Sequence, residues 1–205
     1  MTTEKPPDEL ARAIISAEYG YVAQTAFQAN EDRARAWQYF FVTFATLIAA
    51  LLSTQVEGID RRQLYLTFVV IFALLAALGL ITILQLVRLR QAWLESVRAM
   101  NQIKAQLIAG DPALAAYFRW TNATIPSPFK LRSFGFLQAL SVALLSGLAV
   151  GAAVAFGGLA WGAGLVPWGL SLVAAGLAAS GILGLGYVRP LQQTKPVVGP
   201  EAGPR

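Results

Sequence analysis

Arg98, Asn101 and Lys104 occupy neighbouring turns of one helical stretch, spaced so that all three fall on one side of it. Two cations and an amide so placed suit an acidic ligand, a lipid headgroup or a nucleotide. They equally suit ion pairing with Glu18, Glu31 and Asp32, which precede the first apolar run. The pairing reading is preferred, because both stretches adjoin the same side of the same apolar segments. Glu31-Asp32-Arg33-Ala34-Arg35, followed by Trp37, Tyr39, Phe40 and Phe41, has the order of an interfacial anchor with its aromatic belt. Hydroxyls are the other candidate chemistry. Thr43 and Thr46 are three residues apart in the first apolar run and would share an axis if several copies formed a ring. That arrangement would make a hydroxyl-lined or hydrophobic gate. Otherwise Ser and Thr within apolar helices bond back to their own backbone, which is the reading adopted for most of them.

The chain holds no Cys and no His. Disulfides, thiolate nucleophiles, imidazole acid–base chemistry and the usual nitrogen and sulfur zinc sites are thereby excluded. No glycine-rich phosphate loop and no nucleophile–base pair can be found, so the sequence predicts a protein that is not an enzyme and carries no cofactor or metal. Nor does anything in it predict nucleic-acid binding. Asn122-Ala123-Thr124 has the form of a glycosylation sequon but falls on the predicted cytoplasmic side, where it has no consequence.

The elements that position these residues follow from where charge is missing. Residues 36–56, 63–87 and 133–188 contain no charged side chain. A crossing helix needs roughly 20 apolar residues, and one charge at its centre costs about 2.5–3.5 kcal/mol on the insertion scale. The first two runs suit one span each. The third suits two, broken by Gly157-Gly158 and by the stretch from Gly162 to Pro167. The mean hydropathy of +0.55 agrees with the membrane class. Residues 1–8 are polar and Pro-rich, without a secretory signal pattern, so insertion is expected to use the spans themselves. Lys and Arg concentrate before the first span, between the second and third, and after the fourth. By the positive-inside rule these three segments are cytoplasmic, and both termini lie inside. Arg88, Arg90, Lys130 and Arg132 then sit at anionic headgroups, where each adds about 1 kcal/mol.

The expected fold is therefore all-α and polytopic: four transmembrane helices with a helical cytoplasmic layer. Residues 1–35 form a cytoplasmic amphipathic helix, in which Leu10, Ile14, Ala17 and Tyr21 recur with helical spacing. Residues 36–87 form the first transmembrane hairpin. Residues 88–132 form a cytoplasmic helical segment, where Trp93, Val97, Met100, Ile103 and Leu107 prolong the second helix. Gly110-Asp111-Pro112 then stops that helix and restarts a short one over 113–121, with Leu114, Tyr117, Phe118 and Trp120 as its apolar side. Residues 133–188 form a Gly-rich second hairpin, and 189–205 a disordered tail. Two stripes of small residues stand out in the second hairpin: Ala143, Gly147, Gly151 and Ala155, and Gly176, Ser180 and Gly184. Such stripes let helix backbones approach closely in lipid. They predict tight packing of the third span on the fourth, with a contact between subunits as the alternative.

Read in order, Tyr21, Glu31-Asp32-Arg33, Phe40-Phe41, then Trp93, Met100-Asn101, Lys104, Tyr117, Trp120 and Pro126 resemble the RipA-like family of small octameric bacterial membrane proteins. The resemblance covers residues 21–128. It implies an amphipathic helix before the first span, a helical cytoplasmic segment after the second, and a homo-oligomer in a bacterial inner membrane. The layout also resembles, more loosely, the SLATT membrane modules, two-span proteins of nucleotide-signalled bacterial defence, which implies a pore. The third and fourth spans depart from both patterns, so no stoichiometry is carried over, and neither family supplies catalytic residues at matching positions.

The expectation is a non-enzymatic homo-oligomeric membrane assembly, a pore or a scaffold, with a cytoplasmic layer that senses or docks. Its partners are the bilayer, anionic headgroups, further copies of the chain and a cytoplasmic protein. The alternative is a small transporter or carrier subunit for an uncharged or lipid substrate, although the two halves lack the symmetry that a transporter would show. A third reading is a monomeric partner or chaperone of another membrane complex.

Overall fold

The computed structural model describes residues 8–53, 58, 60–118, 120–121, 125, 127–163 and 166–194. Among these the chain is all helical: α1 Asp8–Ser53, α2 Arg61–Gly110, a 3₁₀ turn η1 Pro112–Tyr117, α3 Phe134–Ala160 and α4 Val166–Gly181. A π-helical stretch Ile182–Val188 then leads into α5 Arg189–Gln193. Four helical stretches are long and apolar enough to cross a membrane, the fourth running from Trp168 to Gln193. With 46 and 50 residues, α1 and α2 rise roughly 69 and 75 Å, against about 30 Å for a hydrocarbon core. Each is longer than a crossing requires.

The helix ends follow from local chemistry. Asp60 accepts from the Gln63 amide at 3.1 Å and opens α2; Ser133 accepts from the Phe136 amide at 3.2 Å and opens α3. At the far end of α3, Gly162 adopts φ 74°, and the Ala163 and Gly162 amides donate to the Gly158 and Leu159 carbonyls. These two bonds are the Schellman pattern, and the left-handed residue it needs is the glycine. Arg132, just before the Ser133 cap, also has positive φ, 64°. A side chain held there costs about 1–2 kcal/mol.

The chain divides into two compact units, and both long helices contribute to each. The larger comprises Arg33–Arg88 and Phe129–Thr194. Its core is Phe40, Ile83, Leu86, Val87, Ala139, Val142, Tyr187 and Leu191. The helix at its centre is α3, with 44 % of its most apolar window buried against 6 % for α1 and 22 % for α2. Gly79 of α2 meets α3 so closely that a Cβ there would overlap the Ser146 hydroxyl and lie 3.3 Å from Phe40. Near the other end of α3, Phe156 packs among Tyr65, Phe68 and Phe72 of α2, with ring centroids 4.9–6.1 Å apart. Residues 79 and 146 pair in one place and 65–72 and 156 in another, so α2 and α3 are antiparallel.

Two expectations need correction in the second hairpin and after it. Gly147 and Gly151 do face α4: a Cβ on Gly147 would lie 2.5 Å from the Ala175 carbonyl, and one on Gly151 2.7 Å from that of Ser171. Ala143 and Ala155 are buried on the same helix. The α4 side of this contact, however, is Ser171, Ala175 and Ala179 rather than Gly176, Ser180 and Gly184. Nothing lies within 4 Å of a Cβ at Gly176 or Gly184, and Ser180 is exposed. The tail begins later than residue 189, because α5 carries Leu191 into the core at 1 % exposure. Pro190 has no amide to donate and its ring would strike the carbonyl four residues back in a regular helix. The wider π turn before it, closed by the Arg189 amide on the Gly184 carbonyl, lets the helix pass through. The rest of the predicted tail, residues 195–205, lies outside the described residues.

The smaller unit draws its described residues from α1 up to Asp32 and from Leu89 to Pro128. Here α1 turns inward the small face Val22, Ala26 and Ala29, and α2 buries Leu94, Ser96 and Asn101. Leu10, Ile14 and Tyr21 are 51 %, 59 % and 68 % exposed, so the larger apolar stripe of α1 faces outward. Small residues allow close helix approach, and they take the inward face. Arg90 sits 4.3 Å over the Trp93 ring and donates through Nε to the Pro128 carbonyl at 3.4 Å. The restart after Gly110 is one 3₁₀ turn, shorter than the helix expected over 113–121. Asp111 caps it, and Phe118 ends it in extended conformation. Of its expected apolar side, Tyr117 and Trp120 are 81 % and 54 % exposed.

Candidate functional site

The polar residues singled out from the sequence fall in both units. Glu18, Glu31, Asp32, Arg98, Asn101 and Lys104 belong to the smaller unit, whereas Arg33 belongs to the larger. Glu18 and Glu31 are exposed; Asp32, Arg98 and Lys104 are half-buried. Glu31, Asp32 and Arg98 each have an interaction partner. Asn101 is 2 % exposed, and its amide nitrogen has no hydrogen-bond partner among the described residues.

Lys104 is held by rings. Its ammonium lies 5.7 Å from the Phe118 ring centre and 6.0 Å from that of Tyr19, within the range of cation–π attraction. Beside it opens a cavity of about 290 Å³ lined by Arg12, Ile15, Ser16 and Tyr19 of α1, Ile103, Lys104 and Leu107 of α2, and Phe118. The α1 contributors are spaced three and four apart and so share one face, as do those of α2. Phe118 comes from the extended segment after η1. Of these residues the sequence reading had singled out Lys104 for chemistry, and Ile103, Leu107 and Phe118 only as apolar faces. Arg12, Ile15, Ser16 and Tyr19 were missed, although their common helical face was a usable signal.

In the larger unit, Arg33 reaches toward α3 and the π stretch. A Cβ on Gly135 would lie 3.4 Å from its Nη1 and 3.3 Å from the Tyr187 hydroxyl. One turn further along, Trp37 donates through its indole N–H to the Ser141 hydroxyl at 3.0 Å. Gln138 lies between these levels on α3, 3 % exposed, with neither side-chain oxygen nor nitrogen hydrogen-bonded among the described residues. The hydroxyls mostly bond their own helices: Thr67 to Gln63, Thr82 to Leu78, Ser141 to Gln138 and Ser146 to Val142, at 2.7–3.0 Å. Thr43 and Thr46 are exposed on α1. No group of three or more His, Cys, Asp or Glu residues suited to a metal occurs among the described residues.

Compared with protein-family models, with curated proteins and with solved structures, the chain matches none. The fold and the site together define a class: an all-helical protein with four helices long and apolar enough to cross a membrane.

Proposed function

We propose that this chain is a multi-pass protein of a bacterial inner membrane that acts as a non-enzymatic homo-oligomeric assembly, its smaller unit forming a cytoplasmic sensing or docking layer. The placement of Lys and Arg supports the orientation, with both termini inside. The observation that carries the assembly is the outward stripe of α1. Leu10, Ile14 and Tyr21 are each more than half exposed, in the part of the helix that precedes the charge-free run. Apolar side chains so grouped outside a bilayer favour contact with another polypeptide. Leu10, Ile14, Ala17 and Tyr21 follow the four-and-three spacing by which helices of separate copies interlock. The RipA-like resemblance agrees with this reading, and the absence of Cys and His supports a role without catalysis.

Native mass spectrometry of the protein in nanodiscs tests it. A single closed stoichiometry is expected, reduced to monomer by Ile14→Glu with Tyr21→Glu. A monomer in the unaltered protein would overturn the assembly and turn attention to a carrier of uncharged or lipid substrate.

A further inference from the structure

We propose that the cavity between Arg12 and Lys104 binds an amphiphilic anion, a carboxylate or phosphate joined to a short apolar chain. The proposal goes beyond the assembly, since every lining residue belongs to the smaller unit of one chain.

Three features converge on that chemistry. The walls are apolar and aromatic: Ile15, Tyr19, Ile103, Leu107 and Phe118. The charged lining residues are both cations, Arg12 and Lys104, and no carboxylate is among the lining residues. The Lys104 ammonium lies 6.0 Å from the Tyr19 ring centre and 5.7 Å from that of Phe118, and ring faces attract a cation without neutralising it. The ammonium meets the anion's head, and the neighbouring rings offer its chain an apolar bed. Arg12 adds a planar fork suited to carboxylate or phosphate oxygens. Ser16 supplies a hydroxyl on the same wall.

Size selects within the class. At about 290 Å³ the cavity stands at the small end of ligand pockets, which run from roughly 300 to 1,000 Å³. A single medium-length chain suits it better than a molecule with two long ones. Such a chain could be a free acid from the aqueous phase or one arm of an anionic lipid, and the experiment separates these sources.

The full-length protein is placed in phosphatidylcholine nanodiscs and irradiated with a diazirine-bearing analogue of decanoate, and the labelled peptides are mapped by mass spectrometry. Labelling should concentrate on residues 15–19, 103–107 and Phe118. Unlabelled decanoate should compete at about tenfold lower concentration than decanol, which lacks the charge. Lys104→Met should lower site labelling about tenfold. Leu107→Trp, which fills the cavity from its apolar side, should abolish it, and the melting temperature of each variant checks that it is folded. If phosphatidylglycerol introduced into the discs competes, the source is the bilayer; if it does not, the source is the free acid. Equal competition by decanol and decanoate, labelling spread evenly along α1 and α2, or a folded Lys104→Met protein labelled as before would each overturn the proposal. None of these readouts depends on stoichiometry, so the site can fail while the assembly stands, and the reverse.

Discussion

Gly79 shows how a single missing methyl group fixes a helix contact. Its Cα faces the Ser146 hydroxyl with no room for a Cβ, and Ser146 is held in place by its bond to the Val142 carbonyl at 2.7 Å. Gly79→Ala should therefore destabilise the protein by about 1–3 kcal/mol, the usual cost of overpacking. Adding Ser146→Gly to that variant should restore much of the loss, and thermal melting of the four combinations measures the coupling. Trp37→Phe keeps the ring but loses the hydrogen bond to Ser141; a cost of about 0.6 kcal/mol, seen as a small fall in melting temperature, is expected. At this scale the sequence was only partly legible. That hydroxyls would bond their own helices could be read directly, because the partner carbonyl lies four residues away. That Lys104 meets two rings could not, because Phe118 arrives through a turn whose length no periodicity reveals.

Helix packing separates positions that composition makes look alike. A Cβ on Gly147 or Gly151 would strike the α4 backbone, whereas one on Gly176 or Gly184 would meet no neighbouring element within 4 Å. Gly147→Leu should lower the melting temperature sharply, while Gly176→Ala should leave it unchanged or raise it by the helix propensity gained, about 1 kcal/mol. A Gly176→Ala variant as damaged as Gly147→Leu would show that the α4 stripe also carries a contact. The α3 half of this interface could be read in advance, because the longest of its small-residue stripes at four-residue spacing runs through Ala143, Gly147, Gly151 and Ala155, whereas Ala149-Ala153-Gly157 is shorter. On α4 and into the π stretch two such stripes coexist, Ser171-Ala175-Ala179 and Gly176-Ser180-Gly184, about 140° apart at 100° per residue where the helix is regular. Spacing alone gives no reason to choose between them. The helical continuation through Pro190 was hidden for a similar reason. Proline reads as a stop unless the preceding turn widens.

For the whole molecule, four apolar helices could be read from charge-free stretches alone, since excluding ionised groups from hydrocarbon is costly enough to mark the sequence. The same stretches set residues 1–35 apart from 36–87 in the reading of the sequence, although α1 runs without interruption from Asp8 to Ser53. Exposure of Thr43 and Thr46 allows a direct test of the pore form of the assembly. If they line an axis between copies, Thr43→Val in liposomes should change ion flux without altering stability; unchanged flux would leave a scaffold as the form of the assembly.

Arg132 has a bearing on how the chain reaches its membrane. It is the last cation before the long charge-free stretch, and it occupies a left-handed conformation that glycine would adopt without strain. Folding and insertion thus pull this position in opposite directions. Arg132→Gly should yield a hairpin more stable once folded, yet, in the proposed orientation, one more often threaded the wrong way round, because the positive signal at its entrance is weaker. A reporter fused after residue 194 would register the inverted fraction, while melting of the correctly oriented protein would register the gain.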